Sequence, residues 1–392
     1  MNPETRLAPP YPDLVARTER AGELDRLTGS FGVNGTAWLD GPRAFVTAGV
    51  AAIVDPGDAV ATLRRIDHRN IDAPVSIGPR AVGALPFEGG GRMIIPARIV
   101  TRDDRGELWQ TTIERSGHET VLHLAAHPTV ASRYTLDQRT TFDAWEQMVV
   151  AALALIDTGA AEKIVLAREV VIEADAAFDI RDVLETLHAT QPGCVVYADG
   201  GFVGATPELL VRRTGAAVVA RPMAGTGLDA AELVRSEKDA REHRFVVDAV
   251  CEALTPTCTD VTATGPAPVE LADVTHLATT ITADLRDTEI SAVDLALALH
   301  PTPAVAGTPR AAALKAIRRL EPAPRGRYAG PCGWVDGRGD GEFVVALRGA
   351  QIDGPRARLH AGAGIVAGSD PASEWAETQA KLEPMLRALV RV

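Results

Sequence analysis

The order in which β-type and helical segments follow one another constrains this chain more than any single motif. Between about residues 30 and 135, the runs GTAWLD, RAFVTAG, APVSIGPRAVGAL and RMIIPARIVTRD are separated by Gly and Pro and read as strands joined by hairpins. The FEGGG passage ahead of the last run is turn chemistry rather than a phosphate cradle. A helical pattern over TTFDAWEQMVVAALALIDTG comes next, then the strand EKIVLAREVVIEA starting at Lys163, the helix RDVLETLHATQP, and strands in GCVVYADGGFVGATPELLVRR and AAVVARPMAGT. One long helix is expected over residues 231–256 and a linker at TATGPAPV, followed by helices at SAVDLALALH and RAAALKAIRRLEP. Strands at GPCGWVD, GEFVVALRGAQID and RARLHAGAGIV lead into a final helix. Strands thus arrive in clusters rather than in strict βαβ alternation, which makes the class α+β with large, mostly antiparallel sheets. No shift in composition marks a boundary, so residues 1–392 are expected to form a single domain. Within it, 1–135 would be a strand-rich N-terminal elaboration and 136–392 the catalytic core. Residues 1 to about 30 read as a terminal arm with a short helix at PDLVARTERAG.

Charge then narrows the partners. With a net charge of −12 the chain is unsuited to a phosphate backbone, so no nucleic acid is expected, and an anionic substrate needs a local positive site. No apolar run approaches membrane-spanning length and MNPETRLAPPYPDL does not read as a signal peptide, so no membrane partner is expected and the cytoplasm is the expected compartment. Cys194, Cys251, Cys258 and Cys332 lack CxxC spacing, which argues against zinc and against a disulfide framework. No GxSxG, Walker A or HExxH sequence occurs.

The chemistry-bearing residues cluster near the C-terminus. In SDPASEWAETQAKL, Asp370 and Pro371 read as N-cap and first helical residue, and the spacing of Glu374, Glu377 and Lys381 puts all three on one helix face. The helix of SEKDAREHRFVVDAVCEAL carries Asp239 and Glu242 three residues apart. Two acid pairs on two helices fit a shared hard cation, although either pair alone reads more readily as a solvated helix face. Lys163, at the head of an apolar strand, is a candidate base, and Glu208, between Pro207 and two leucines, a candidate buried acid. Each also reads as an ordinary strand-end or turn residue. Arg348, within the run VVALRGAQ, is a candidate carboxylate clamp, and His276 reads as a structural histidine. The glycines of HAGAGIVAGSD do not match a dinucleotide fingerprint, but Gly362 and Gly364 allow backbone to approach a ligand.

Eight blocks, taken together and in order, resemble the chorismate-utilising enzymes, on their isochorismate synthase branch. They are EKIVLARE, GATPELLVR, PMAGTGL, SEKDAREH, THLATTI, LHPTPAVAGTPR, RYAGPCGWVDGRGDGEFVVALRGAQI and LHAGAGIVAGSDPASEWAETQAKL, running from about residue 160 to the C-terminus. The resemblance implies one α+β domain in which two large, mostly antiparallel sheets form a central sandwich with helices outside. It also implies Mg²⁺-dependent addition of water at C2 of chorismate with loss of the C4 hydroxyl. Lys163 would be the base and Glu208 the acid. Glu242 and Glu377 would hold Mg²⁺, with Asp239 and Glu374 in the same acidic cluster, although Asp239 stands where several relatives carry Glu. Arg348 and Tyr328 would grip the enolpyruvyl carboxylate with help from backbone at Gly362 and Gly364, Lys381 would add a cation, and Thr226, His276 and Ala304 would complete the substrate site. Amine-transferring relatives usually carry glutamine at the position of Lys163, so water is the expected nucleophile. No glutamine amidotransferase subunit is expected, and the chain is expected to act as a monomer. The alternatives are a salicylate synthase, which goes on to eliminate pyruvate, and a non-catalytic member of the family.

Overall fold

The computed structural model describes residues 13–390 except 23, 25, 34, 116–127, 228, 272–273 and the side chain of Lys238. Its 21 strands join in one hydrogen-bonded network, antiparallel throughout the described residues except where Leu14–Arg20 lies parallel to Asp67–Asn70. Helices pack outside it, so the α+β class with large antiparallel sheets holds. Among the described residues no helix is long and apolar enough to cross a membrane.

The strand Lys163–Ala174 and its neighbour Arg356–Val366 form the spine of the molecule, paired without a break from Lys163 opposite Val366 to Glu173 opposite Arg356. Period-two alternation and β-branched side chains suit both to burial. Ile164, Leu166, Ala363 and Ile365 enter one apolar core, while Val170, Ile172, Leu359 and Ala361 enter a second. Lys163 and Val165 therefore turn to the opposite face from Ile164 and Leu166, as do Gly362 and Gly364 from Ala363 and Ile365.

Helix Pro371–Leu389 is seated on this spine by polar and aromatic contacts. The Asp370 carboxylate accepts the Ser373 N–H at 2.9 Å, and Pro371 occupies the first turn, as the sequence predicts. Trp145, from helix Phe142–Asp157, donates its indole N–H to the Pro371 carbonyl at 3.1 Å. The buried Arg168 donates Nε to Thr378 Oγ1 at 2.7 Å and lies 3.9 Å from the centroid of the Trp375 ring.

Four local expectations need correction. The segment read as a short helix at PDLVARTERAG is the strand Leu14–Arg20, paired with Leu108–Arg115. Leu14, Ala16 and Thr18 are buried and alternate with outward residues, a period of two that the sequence reading took for a helix. The rest of the proposed arm, residues 1–12, lies outside the described residues. The TATGPAPV linker lies inside strand Cys258–Glu270, which among the described residues pairs only with Thr275–Leu285; as an edge strand with register shifts it tolerates its prolines. The helix expected over 231–256 is two helices, Ala230–Arg235 and Glu237–Leu254, because Ser236 leaves helical geometry to accept the Asp239 N–H and cap the second. Arg348 is not in a strand: it sits between Gly341–Val345 and Gly349–Asp353 with φ +48°.

Candidate active site

The strand pair, the two acid-bearing helices and the Arg348 break meet around one pocket enclosing about 780 Å³ of empty space, including its open mouth. Its size is that of a small-molecule site. Lys163 enters from the head of its strand, 1% exposed, with Nζ 2.7 Å from Oε1 of Glu242 on helix Glu237–Leu254. Room for this pair exists because residue 364 is glycine. A Cβ there would stand 2.6 Å from Glu242 Oε1 and 2.8 Å from Lys163 Cε.

A second ion pair forms along helix Pro371–Leu389, where the i, i+4 spacing brings Lys381 Nζ to 2.5 Å from Glu377 Oε1. The same ammonium donates to the Gly362 carbonyl at 3.0 Å. Burial works against the charged form of Lys381, but the Glu377 carboxylate outweighs it and the net shift of its pKa is upward.

Glu208 follows strand Phe202–Thr206 and is 4% exposed. Burial raises its carboxyl pKa to about 7; a backbone hydrogen bond from Met223 and the cations Lys163, Lys381 and Arg348 oppose the rise without cancelling it. At neutral pH a large fraction of Glu208 is therefore a protonated acid.

Arg348 is oriented by His276. The Arg348 Nη2 lies 2.8 Å from His276 Nε2, and His276 Nδ1 lies 3.2 Å from both the Gly225 carbonyl and Thr226 Oγ1. An acceptor carbonyl at Nδ1 puts the ring hydrogen there and leaves Nε2 to accept from the guanidinium. Burial, then Arg348 and Lys381, push the His276 pKa down to about 3, so the ring stays neutral and can accept. Tyr328 stacks on His360 with ring centroids 5.4 Å apart, and burial raises its phenol pKa.

All the residues singled out from the sequence line this pocket except Asp239 and Glu374. Those two lie one helical turn before Glu242 and Glu377; Glu374 is buried, and the Asp239 side chain packs against Gly225. Among the described residues no three His, Cys, Asp or Glu side chains come together as a metal-binding group. Sequence reasoning missed His360, Val165, Val305 and Arg325, which also line the pocket. Two of them carried a usable signal, since Val165 is two residues from Lys163 and His360 two from Gly362, on the same strand faces. His360 is held from behind by Glu169, whose carboxylate lies 3.5 Å from Nε2 and whose pKa that contact lowers.

Residues 88–390 match the chorismate binding enzyme family, and the chain belongs to it. Isochorismate synthase DhbC of Bacillus subtilis is 33% identical over 386 residues, covering 91% of this chain and 94% of that protein. Isochorismate synthase EntC of Escherichia coli is 37% identical over 328 residues, 79% of this chain and 80% of its own. Among solved structures, the menaquinone-specific isochorismate synthase MenF of Escherichia coli superposes with a TM-score of 0.82 at 25% identity, over 97% of this chain and 95% of that one. The chain is thus a chorismate-converting enzyme.

Proposed function

We infer that this enzyme converts chorismate to isochorismate. The observation that carries the reading is that a buried lysine and a carboxyl group whose pKa is raised to about 7 share one pocket. Lys163 takes a proton from water as its oxygen bonds to C2, the two ring double bonds shift, and the C4–O bond breaks with the Glu208 proton going to the departing hydroxyl. One water enters and one leaves, so substrate and product are isomers. A proton acceptor and a protonated carboxylic acid in one pocket is the arrangement such an exchange needs.

The substrate is a dianion, and the cations facing the pocket suit it. Arg348, held by the neutral His276, and Tyr328 would receive the enolpyruvyl carboxylate. Lys381, together with backbone at Gly362 and Gly364 and the neighbours Thr226, His276 and Ala304, would complete the site. Mg²⁺ fits the donors that are present: Glu242 and Glu377 bring oxygen ligands into the same pocket from two helices, the hard donor type the ion takes. Those two carboxylates would hold it, with Asp239 and Glu374 behind them, and its charge would be available to the ring carboxylate of the substrate. Since the nucleophile is water, no ammonia-delivering subunit enters the reaction.

The loop LHPTPAVAGTPR, whose Ala304 and Val305 wall the pocket, resembles the isochorismate-releasing branch rather than the pyruvate-eliminating one. The test is chromatography of chorismate incubated with the pure protein and Mg²⁺ at neutral pH. Isochorismate in equilibrium with chorismate is expected, because one hydroxyl is exchanged for another. Salicylate with stoichiometric pyruvate would replace this reading by a lyase, and unchanged chorismate would replace it by a non-catalytic member of the family.

A further inference from the structure

Resting on the reaction just described, we propose that Glu321 and Arg325 are positioning residues that stand in for a neighbouring strand and so hold Lys163 and the Ala304–Val305 wall in register. Along the Lys163–Ala174 strand, the edge facing away from Arg356–Val366 is covered in pieces. Lys163 and Ile164 pair with Gly307–Thr308, and the Val165 N–H donates to the Ala306 carbonyl at 2.9 Å. Farther along, Thr140 bonds Glu169, and Tyr134–Asp137 pairs from Val171 onward. Between these pieces the Val165 carbonyl and the Ala167 N–H face no strand among the described residues. Arg325 Nη2 donates to the first at 2.8 Å, and Glu321 Oε1 accepts from the second at 2.9 Å.

The two side chains are bound to each other, with Arg325 Nη2 2.5 Å from Glu321 Oε1, and are 2% and 5% exposed. Arg325 Nη1 donates to the Val305 carbonyl at 2.7 Å, and the guanidinium lies 4.4 Å from the centroid of the Phe87 ring. One planar fork thus spans the strand that carries Lys163 and the loop that forms the facing wall. A buried ion pair is costly unless its hydrogen bonds are met, and here the backbone of two elements meets them. These partners and Glu321 take four of the five Arg325 N–H groups, which gives the fork the task of setting distance rather than of binding substrate.

Arg325→Lys is the discriminating change, because it keeps the charge and loses the fork. Three quantities are to be measured: kcat and KM for chorismate, Mg²⁺ affinity by calorimetry, and hydrogen exchange of the amides of residues 163–169. The expected result is a kcat about 10²-fold lower, the scale of a small misplacement of a reacting group. KM and Mg²⁺ affinity should stay within about threefold, and exchange at Val165–Ala167 should rise. Glu321→Gln, which retains an acceptor for the Ala167 N–H, should lower kcat less; if Arg325→Lys does not fold, the same measurements on Glu321→Gln decide. Unchanged kcat and exchange in a folded variant overturn the proposal, and so does a loss confined to thermal stability. A wild-type chain that leaves chorismate unchanged overturns the underlying reading and this proposal with it.

Discussion

Lys163 Nζ lies 2.7 Å from Glu242 Oε1 in a pocket where the lysine has lost nearly all contact with solvent. The residue proposed as the base thus contacts a residue proposed as a metal ligand. If both proposed roles hold, a change at either residue should alter proton transfer and Mg²⁺ binding together.

Lys163→Gln should fold and still bind chorismate, with turnover reduced by about 10² to 10⁴, the usual cost of removing a general base. Circular dichroism and a chorismate-consumption assay on the same preparation check this. Near-normal turnover would remove Lys163 from the mechanism.

Glu208 should govern the alkaline limb of the pH profile. The carboxyl is protonated below its pKa of about 7 and ionised above it, so the proton donor is lost, and kcat falls, as pH rises through about 7. Glu208→Gln cannot donate and should lose about 10² to 10⁴ in kcat, with the residual rate no longer showing that limb. Retention of the limb in this variant would assign it to another group.

Gly364→Ala should lower kcat by about 10²-fold with little change in melting temperature. The nearest atoms the added Cβ would meet are side-chain ends of Glu242 and Lys163, at 2.6 and 2.8 Å, so the pair is expected to move while the strand stays. Kinetics and thermal unfolding run together test this. Full activity would mean that the observed spacing of the pair is not needed for the chemistry.

Glu377→Ala and Glu242→Ala should each weaken Mg²⁺ binding by about tenfold or more, since even outer partners of a metal site contribute that much. Calorimetric titration of Mg²⁺ into the apo variants is the measurement. A chelator should stop wild-type turnover, and added Mg²⁺ should restore it. Wild-type affinity in both variants would place the ion elsewhere.

Much of the fold was legible from local pattern. Asp370 caps its helix as the sequence implies, and Gly89, Gly90 and Gly91 adopt the positive φ that a turn requires. Local pattern failed where two periodicities compete over a short segment. Leu14–Arg20 and Cys258–Glu270 are strands because partner strands complete them, and their own propensities did not announce it.

For the site, the sequence by itself determined what lies along one element. The i, i+4 spacing of Glu377 and Lys381 makes their ion pair, and the period of two sets His360, Gly362 and Gly364 on one strand face, because helix and strand geometry need no distant partner. Tertiary structure alone decided that Lys163 meets Glu242, seventy-nine residues away, that Arg348 is held by His276, and that Arg325 spans Val165 and Val305. It also decided the state of Glu208, whose pKa is raised by burial under side chains from several elements. The reason is physical: desolvation and long-range contacts depend on what the fold packs around a residue, and no local window of sequence contains that.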